Sequence, residues 1–189
     1  MFFLKKLYVK ISKFLSYILR HHPEKFNLNL DSEGFAELEQ VLEMLNKKFY
    51  YLNREITRST IIELIKNSDK KRFELKEKRI RAYYGHSIPI KIKMTEVISL
   101  PPKLYHGTTL KAYNKIKVEG LIKKERQYVH LSDNLESAIL VGKRRTKEPI
   151  ILKVDAKAAQ MDGIIFYKSG DMYLAEYIPP KYVSYLHKT

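Results

Sequence analysis

Six histidines, His21, His22, His86, His106, His130 and His187, are the first place to look for chemistry in this chain. None pairs with another at the i, i+4 spacing of a helical zinc site, and no acidic residues cluster beside them, so a metal enzyme is a poor reading. Cysteine is absent, which removes disulfides, thiolate zinc sites, iron–sulfur clusters and a cysteine nucleophile together. Neither a Gly-x-Gly-x-x-Gly fingerprint nor a Walker-type loop is present. His106-Gly107-Thr108-Thr109 stands between a short strand and a helix. Glycine lets a backbone approach a ligand closely, and the amides and hydroxyls after it can hold an anion at a helix start. A plain strand-to-helix turn with Thr109 as N-cap explains the same residues and is the commoner occurrence. His130-Leu131-Ser132-Asp133 divides the same way, with Ser132 or Asp133 capping a helix that holds Ala138 and Ile139. The arginines are harder to dismiss. Arg20 beside His21, Arg72, and Arg144-Arg145 after Gly142 all fall at element boundaries, and a guanidinium fork matches phosphate bidentately.

The elements that must position these groups follow from hydrophobic spacing. Leu4, Leu7, Tyr8, Ile11, Phe14, Leu15, Ile18 and Leu19 recur every three or four residues, the period of an amphipathic helix. Pro23 should stop it and deliver Arg20, His21 and His22 to a turn. A second helix is predicted over 36–45 and a third after Thr57-Arg58-Ser59, with strands separated by a turn between Arg72 and Tyr84. Three helices followed by a strand pair is a winged-helix-like layout. Leu100-Pro101-Pro102 is the predicted boundary, giving lobes 1–99 and 100–189. Beyond it, Leu104-Tyr105 reads as a short strand and 110–118 as a helix closed by Gly120. Runs at 129–131, 150–154, 163–167 and 172–178 read as strands of a compact α+β lobe, mostly antiparallel.

The 189 residues carry 36 Lys and Arg against 21 Asp and Glu, a net charge of +15. Residues 1–100 hold 20 basic against 12 acidic side chains and the remainder 16 against 9, so the charge belongs to the whole surface. A polyanionic partner such as nucleic acid is implied. Eight of the sixteen residues from Lys66 to Arg81 are basic, which general attraction to phosphates explains. Lys5, Lys6, Lys10 and Lys13 interrupt the apolar residues at the start, so an export signal is not expected. No later run approaches the length of a bilayer span. A soluble, cytoplasmic monomer is the expectation.

Read in order, these segments resemble the RNA 2′-phosphotransferase family, enzymes that remove a splice-junction 2′-phosphate using NAD. The resemblance is carried by Leu15-Ser16-Tyr17-Ile18-Leu19-Arg20-His21-His22-Pro23, Asp69-Lys70-Lys71-Arg72-Phe73 and Ile80-Arg81-Ala82-Tyr83-Tyr84-Gly85-His86-Ser87. It continues through Tyr105-His106-Gly107-Thr108, Val129-His130-Leu131-Ser132, Val141-Gly142-Lys143-Arg144, Ile151-Leu152-Lys153-Val154-Asp155-Ala156 and Tyr177-Ile178-Pro179-Pro180. Colinear matches run from about residue 12 to residue 183, and the ordered set is more specific than any one motif.

The resemblance implies an N-terminal winged-helix RNA lobe and a C-terminal ADP-ribosyltransferase-like NAD lobe, with the active site between them. It implies NAD as a consumed co-substrate, a tRNA-like partner carrying a 2′-phosphate, and a place in tRNA splicing. In the family reaction the RNA phosphate becomes ADP-ribosylated and is then released as ADP-ribose 1″,2″-cyclic phosphate, leaving a 2′-hydroxyl. By resemblance Arg20, His21, Arg72 and Arg144 are catalytic, and His106, Gly107, Thr108, His130 and Ser132 line the NAD pocket. Arg81, His86 and Ser87 map to the RNA-facing region. Two departures stand out. Family members usually run Arg-His-Gly where this chain has Arg144-Arg145-Thr146, so either arginine fits the position, and Arg144 is chosen by its distance from Gly142. They often carry Asn-Gln where this chain has Tyr83-Tyr84. Two other classes compete: a winged-helix nucleic-acid-binding regulator, and an ADP-ribosyltransferase acting on nucleic-acid phosphate ends or protein. The regulator gives His106-Gly107-Thr108 no role.

Overall fold

A computed structural model describes residues 2–186, with side chains from Lys6 onward; His187 lies outside the described residues. The chain is α+β, every paired strand among the described residues is antiparallel, and it divides into two compact units at Lys93/Met94. The division falls ahead of Pro101-Pro102 because Thr95 and Glu96 already pair with a strand of the second unit.

In the first unit, α1 (Phe2–Arg20) buries Ile11, Leu15, Ile18 and Leu19 completely. Each such side chain contributes on the order of 1.5–3 kcal/mol by leaving water. The helix closes where expected: the His21 and His22 amides both donate to the Tyr17 carbonyl, at 3.2 and 3.0 Å, before Pro23 opens a short 3₁₀ turn. Phe35–Glu37 forms β1, so α2 begins at Leu38 and runs to Lys48. The expected start at Ala36 is thus corrected, because Phe35, Ala36 and Glu37 are taken up by pairing with Arg81, Ile80 and Arg79. Thr57 caps α3 (Arg58–Lys66), its amide donating to Thr60 Oγ1 at 3.3 Å. The expected hairpin follows as β2 (Phe73–Lys76) and β3 (Arg79–Ala82), giving a sheet ordered β1-β3-β2.

The second unit holds three antiparallel assemblies. Its strands are β4 (Thr95–Glu96), β5 (Lys103–Thr108), β6 (Leu121–Ile122), β7 (Val129–Leu131), β8 (Ile150–Asp155), β9 (Phe166–Ser169), β10 (Met172–Ala175), β11 (Tyr177–Ile178) and β12 (Val183–Tyr185). They order as β12-β8-β5, β4-β9-β10-β7 and β11-β6. Tyr105 and Ser132 exchange backbone hydrogen bonds of 2.7 and 3.0 Å, tying β5 to the end of β7. Helices α4 (Leu110–Glu119), α5 (Leu135–Gly142) and α6 (Ala156–Met161) complete it. Leu104, Leu152, Val154, Phe166 and Ile178 form a core separate from that of the first unit. Strand β5 is longer than the expected Leu104-Tyr105, since pairing with β8 runs on to Thr108. No helix among the described residues is long and apolar enough to cross a membrane.

Candidate active site

Within the first unit, four of the residues singled out from sequence, Arg20, His21, Arg72 and Ser87, are linked by hydrogen bonds. Arg20 ends α1, and its Nη2 donates to the Arg72 carbonyl at 3.4 Å. The same carbonyl accepts the Tyr83 amide at 2.9 Å, so one oxygen joins the strand to the helix end. Arg72 in turn donates from Nη1 to Ser68 Oγ at 2.8 Å. The Arg20 guanidinium lies 5.1 Å from the Tyr84 ring centre and 5.6 Å from that of Phe73, a cation–π contact on each. Gly85, at φ +91°, turns the chain beside it, and a Cβ there would stand 3.4 Å from Arg20 Nη1. The Ser87 amide donates to the Arg20 carbonyl at 2.9 Å, and His21 Nδ1 shares a 2.8 Å hydrogen bond with Ser87 Oγ.

His86 and Arg81 are placed differently from Ser87. His86 is 2% exposed, and neither ring nitrogen has a hydrogen-bond partner among the described residues. Burial, followed by the charges of Arg20, His21 and Arg81, pushes its pKa down to about 4, so the ring is neutral at physiological pH. Arg81 donates from Nε to Glu74 Oε2 at 2.6 Å and from Nη1 to the Glu33 carbonyl at 3.2 Å, with its guanidinium over Phe35. Its charge is one of those acting on His86.

In the second unit, His106, Gly107 and Thr108 lie within β5, and Thr109 caps α4 by accepting from the Ala112 amide at 3.2 Å. His106 Nδ1 donates to the His130 carbonyl at 3.0 Å, and His130 Nδ1 donates to the Tyr128 carbonyl at 3.0 Å. Each bond fixes a tautomer whose lone pair sits on Nε2. Burial lowers the His106 pKa, the bond to the His130 carbonyl works against it, and the charges of Arg126, Arg145 and Lys124 lower it further. A buried imidazole acted on by three cations suits an anionic ligand. Gly107 makes its close approach to a helix: a Cβ there would fall 2.0 Å from the Ala138 carbonyl oxygen and 2.9 Å from the Gly142 amide of α5. Ser132 is buried and its Oγ accepts from the Asn134 amide at 3.1 Å. The cap of α5 is Asn134, which accepts from the Ser137 amide, and not Ser132 or Asp133. Asn134 satisfies the helix start because pairing to Tyr105 already holds Ser132. Arg144 and Arg145 are exposed in the turn after α5.

Tyr84, Phe73 and Gly85 in contact with Arg20 were not visible from spacing. The only sequence signal was that two aromatic residues and a glycine precede His86. Among the described residues no group of three or more His, Asp or Glu could hold a metal ion.

A family model described as RNA 2′-phosphotransferase, Tpt1 / KptA family, matches residues 6–176. The chain belongs to the RNA 2′-phosphotransferase family. A protein of Bacillus thuringiensis subsp. konkukian named "Probable RNA 2′-phosphotransferase" is 43% identical over 182 residues, 95% of this chain and 96% of its own. One from Acetivibrio thermocellus with the same name is 42% identical, over 94% of this chain and 97% of its own. The "Probable RNA 2′-phosphotransferase 2" of Archaeoglobus fulgidus is 39% identical, over 94% of this chain and 80% of its own. The RNA 2′-phosphotransferase match therefore spans both histidine-bearing clusters, one in each unit.

Proposed function

We propose that this chain removes an internal 2′-phosphate from RNA by transferring it to NAD. The first unit is read as a winged-helix RNA lobe and the second as an ADP-ribosyltransferase-like lobe. The observation that carries the reading is that the Arg20 guanidinium bonds the Arg72 backbone while Ser87 holds both the Arg20 carbonyl and the His21 ring, in a chain of this family.

A phosphate monoester carries roughly −1.5 to −2 charges near neutrality and needs fixed cations to hold it. Arg20, in contact with two rings and a carbonyl, and Arg72, bonded to Ser68, supply donors already engaged before substrate arrives. In the first step a 2′-phosphate oxygen of the RNA attacks the anomeric carbon of the nicotinamide ribose. The bond to nicotinamide breaks, and its electron pair leaves with the base. The arginines orient the nucleophile, and the phosphate itself answers the positive charge that develops on the sugar. In the second step the neighbouring ribose 2″-hydroxyl attacks the phosphorus and the RNA 2′-oxygen leaves as a hydroxyl. The proton lost by one oxygen is gained by the other, and His21, assigned by the resemblance, is read as the group that carries it. Arg144, assigned by the resemblance, adds charge in this step. In the second unit the fixed tautomers of His106 and His130, with the cations Lys124, Arg126 and Arg145 around His106, support holding the dinucleotide.

The test is incubation of the purified chain with a short RNA bearing one internal 2′-phosphate, with and without NAD, and mass spectrometry of the products. NAD-dependent loss of the phosphate with release of ADP-ribose cyclic phosphate is the expected result. Accumulation of ADP-ribosylated RNA or protein alone would favour the transferase that stops after one step. RNA binding without reaction would favour the binding module.

A further inference from the structure

The segment Tyr84–Ser87 holds the end of α1 from several directions. Tyr84 stacks on the Arg20 guanidinium, Gly85 leaves room for its Nη1, and Ser87 binds Arg20 through its amide and His21 through its hydroxyl. Ser87 itself is exposed, flanked by buried His86 and Ile88, so its backbone is anchored on both sides while its hydroxyl stays at the surface. The resemblance places Ser87 among the RNA-facing residues, and the geometry gives it a second task.

We infer that Ser87 is a positioning residue for His21: its hydroxyl fixes the imidazole through Nδ1 and presents Nε2 to the reacting phosphate. This rests on the function proposed above. The 2.8 Å bond to Ser87 Oγ restricts the rotation of the His21 ring. The amide bond to the Arg20 carbonyl sets the position of the hydroxyl relative to the residue it serves, so helix end and anchor move together. A hydroxyl is also the right kind of partner. It accepts from Nδ1–H when the ring is an imidazolium or the Nδ1–H tautomer, and donates to Nδ1 when the proton sits on Nε2. It therefore keeps hold of the ring through a full proton transfer. A carboxylate in its place would put negative charge beside a phosphate that arrives nearly doubly charged. Serine orients without repelling.

The experiment compares Ser87→Ala, Ser87→Thr, His21→Ala and the Ser87→Ala/His21→Ala double variant in the full chain. RNA 2′-phosphate removal is followed with NAD, alongside ring ¹⁵N spectra of His21. Ser87→Ala is expected to lower kcat about tenfold or more, with the KM for RNA and for NAD changed less than twofold. Ser87→Thr restores most of the rate. In the His21→Ala background the serine change costs nothing further, because the two act as one unit. The His21 ring nitrogens shift in Ser87→Ala and return in Ser87→Thr. Unchanged ring shifts, an additive loss in the double variant, or an effect confined to the KM for RNA would each overturn the proposal, the last by making Ser87 a direct substrate contact. Wild-type chain that fails to remove the phosphate would overturn the functional reading. The ring spectra would then decide the Ser87–His21 coupling alone.

Discussion

An arginine that contacts two aromatic rings is costly to replace. Arg20 has its stacking on Tyr84 and Phe73 and its bond to the Arg72 carbonyl already formed, so its charge needs no reorganisation when phosphate binds. Arg20→Ala and Arg72→Ala are each expected to slow phosphate removal about a hundredfold or more, on the scale of a lost transition-state donor, in single-turnover assays. The neighbouring pair Arg144-Arg145 separates by a different measurement. Arg145 is among the cations that hold the His106 pKa down, and Arg144 is not. NMR titration of His106 should therefore move upward in Arg145→Ala and stay put in Arg144→Ala, while the larger loss of turnover falls on Arg144→Ala. Buried His86 gives a pH signature. Its imidazole titrates near 6.5 when unfolded and at about 4 when folded, so between those values the unfolded chain binds more protons. Its contribution is complete above pH 6.5 and is lost as the pH falls toward 4. The slope is up to about 1.4 kcal/mol per pH unit. Denaturant melts of wild type and His86→Leu should diverge across that window; parallel curves would show that the ring titrates normally.

At the scale of elements, local signals were enough wherever an element is built from its own neighbours in sequence. The apolar period of α1, the stop before Pro23, the start of α3 to within two residues and the hairpin after Arg72 all read directly from spacing. Elements whose extent depends on distant partners did not. Ala36 joined β1 through a partner at Ile80, β5 grew to Thr108 against β8, and Ser132 was bound by Tyr105, which left the cap of α5 to Asn134. The same holds for the site. Arg20, His21 and Arg72 stood out by type and position, but nothing local announces that Gly85 and Ser87 fold back on Arg20 and His21. Gly85 tests the turn itself. Alanine there must adopt φ +91° and press on Arg20, an expected cost of about 1–3 kcal/mol with turnover falling beyond what the lower melting temperature explains. A full-rate Gly85→Ala would mean that this segment does not set the Arg20 position.

For the molecule as a whole, the excess of basic residues is spread over both halves of the sequence, with 20 against 12 in residues 1–100 and 16 against 9 beyond. Affinity for RNA should then fall steeply and log-linearly with added salt, as counterions released from the phosphates are paid back. A flat response in filter-binding or anisotropy measurements from ~50 to ~200 mM salt would contradict a charge-led encounter. The same molecule also sets a trap for anyone mapping it by saturation mutagenesis. Gly107 sits between His106 and Thr108, and its one bare face is filled by the carbonyl of Ala138. Every side chain placed there will push α5 away from β5 and score as inactive. A heat map of tolerated residues would then score Gly107 like a ligand-contacting residue, although its packing against α5 alone produces that score.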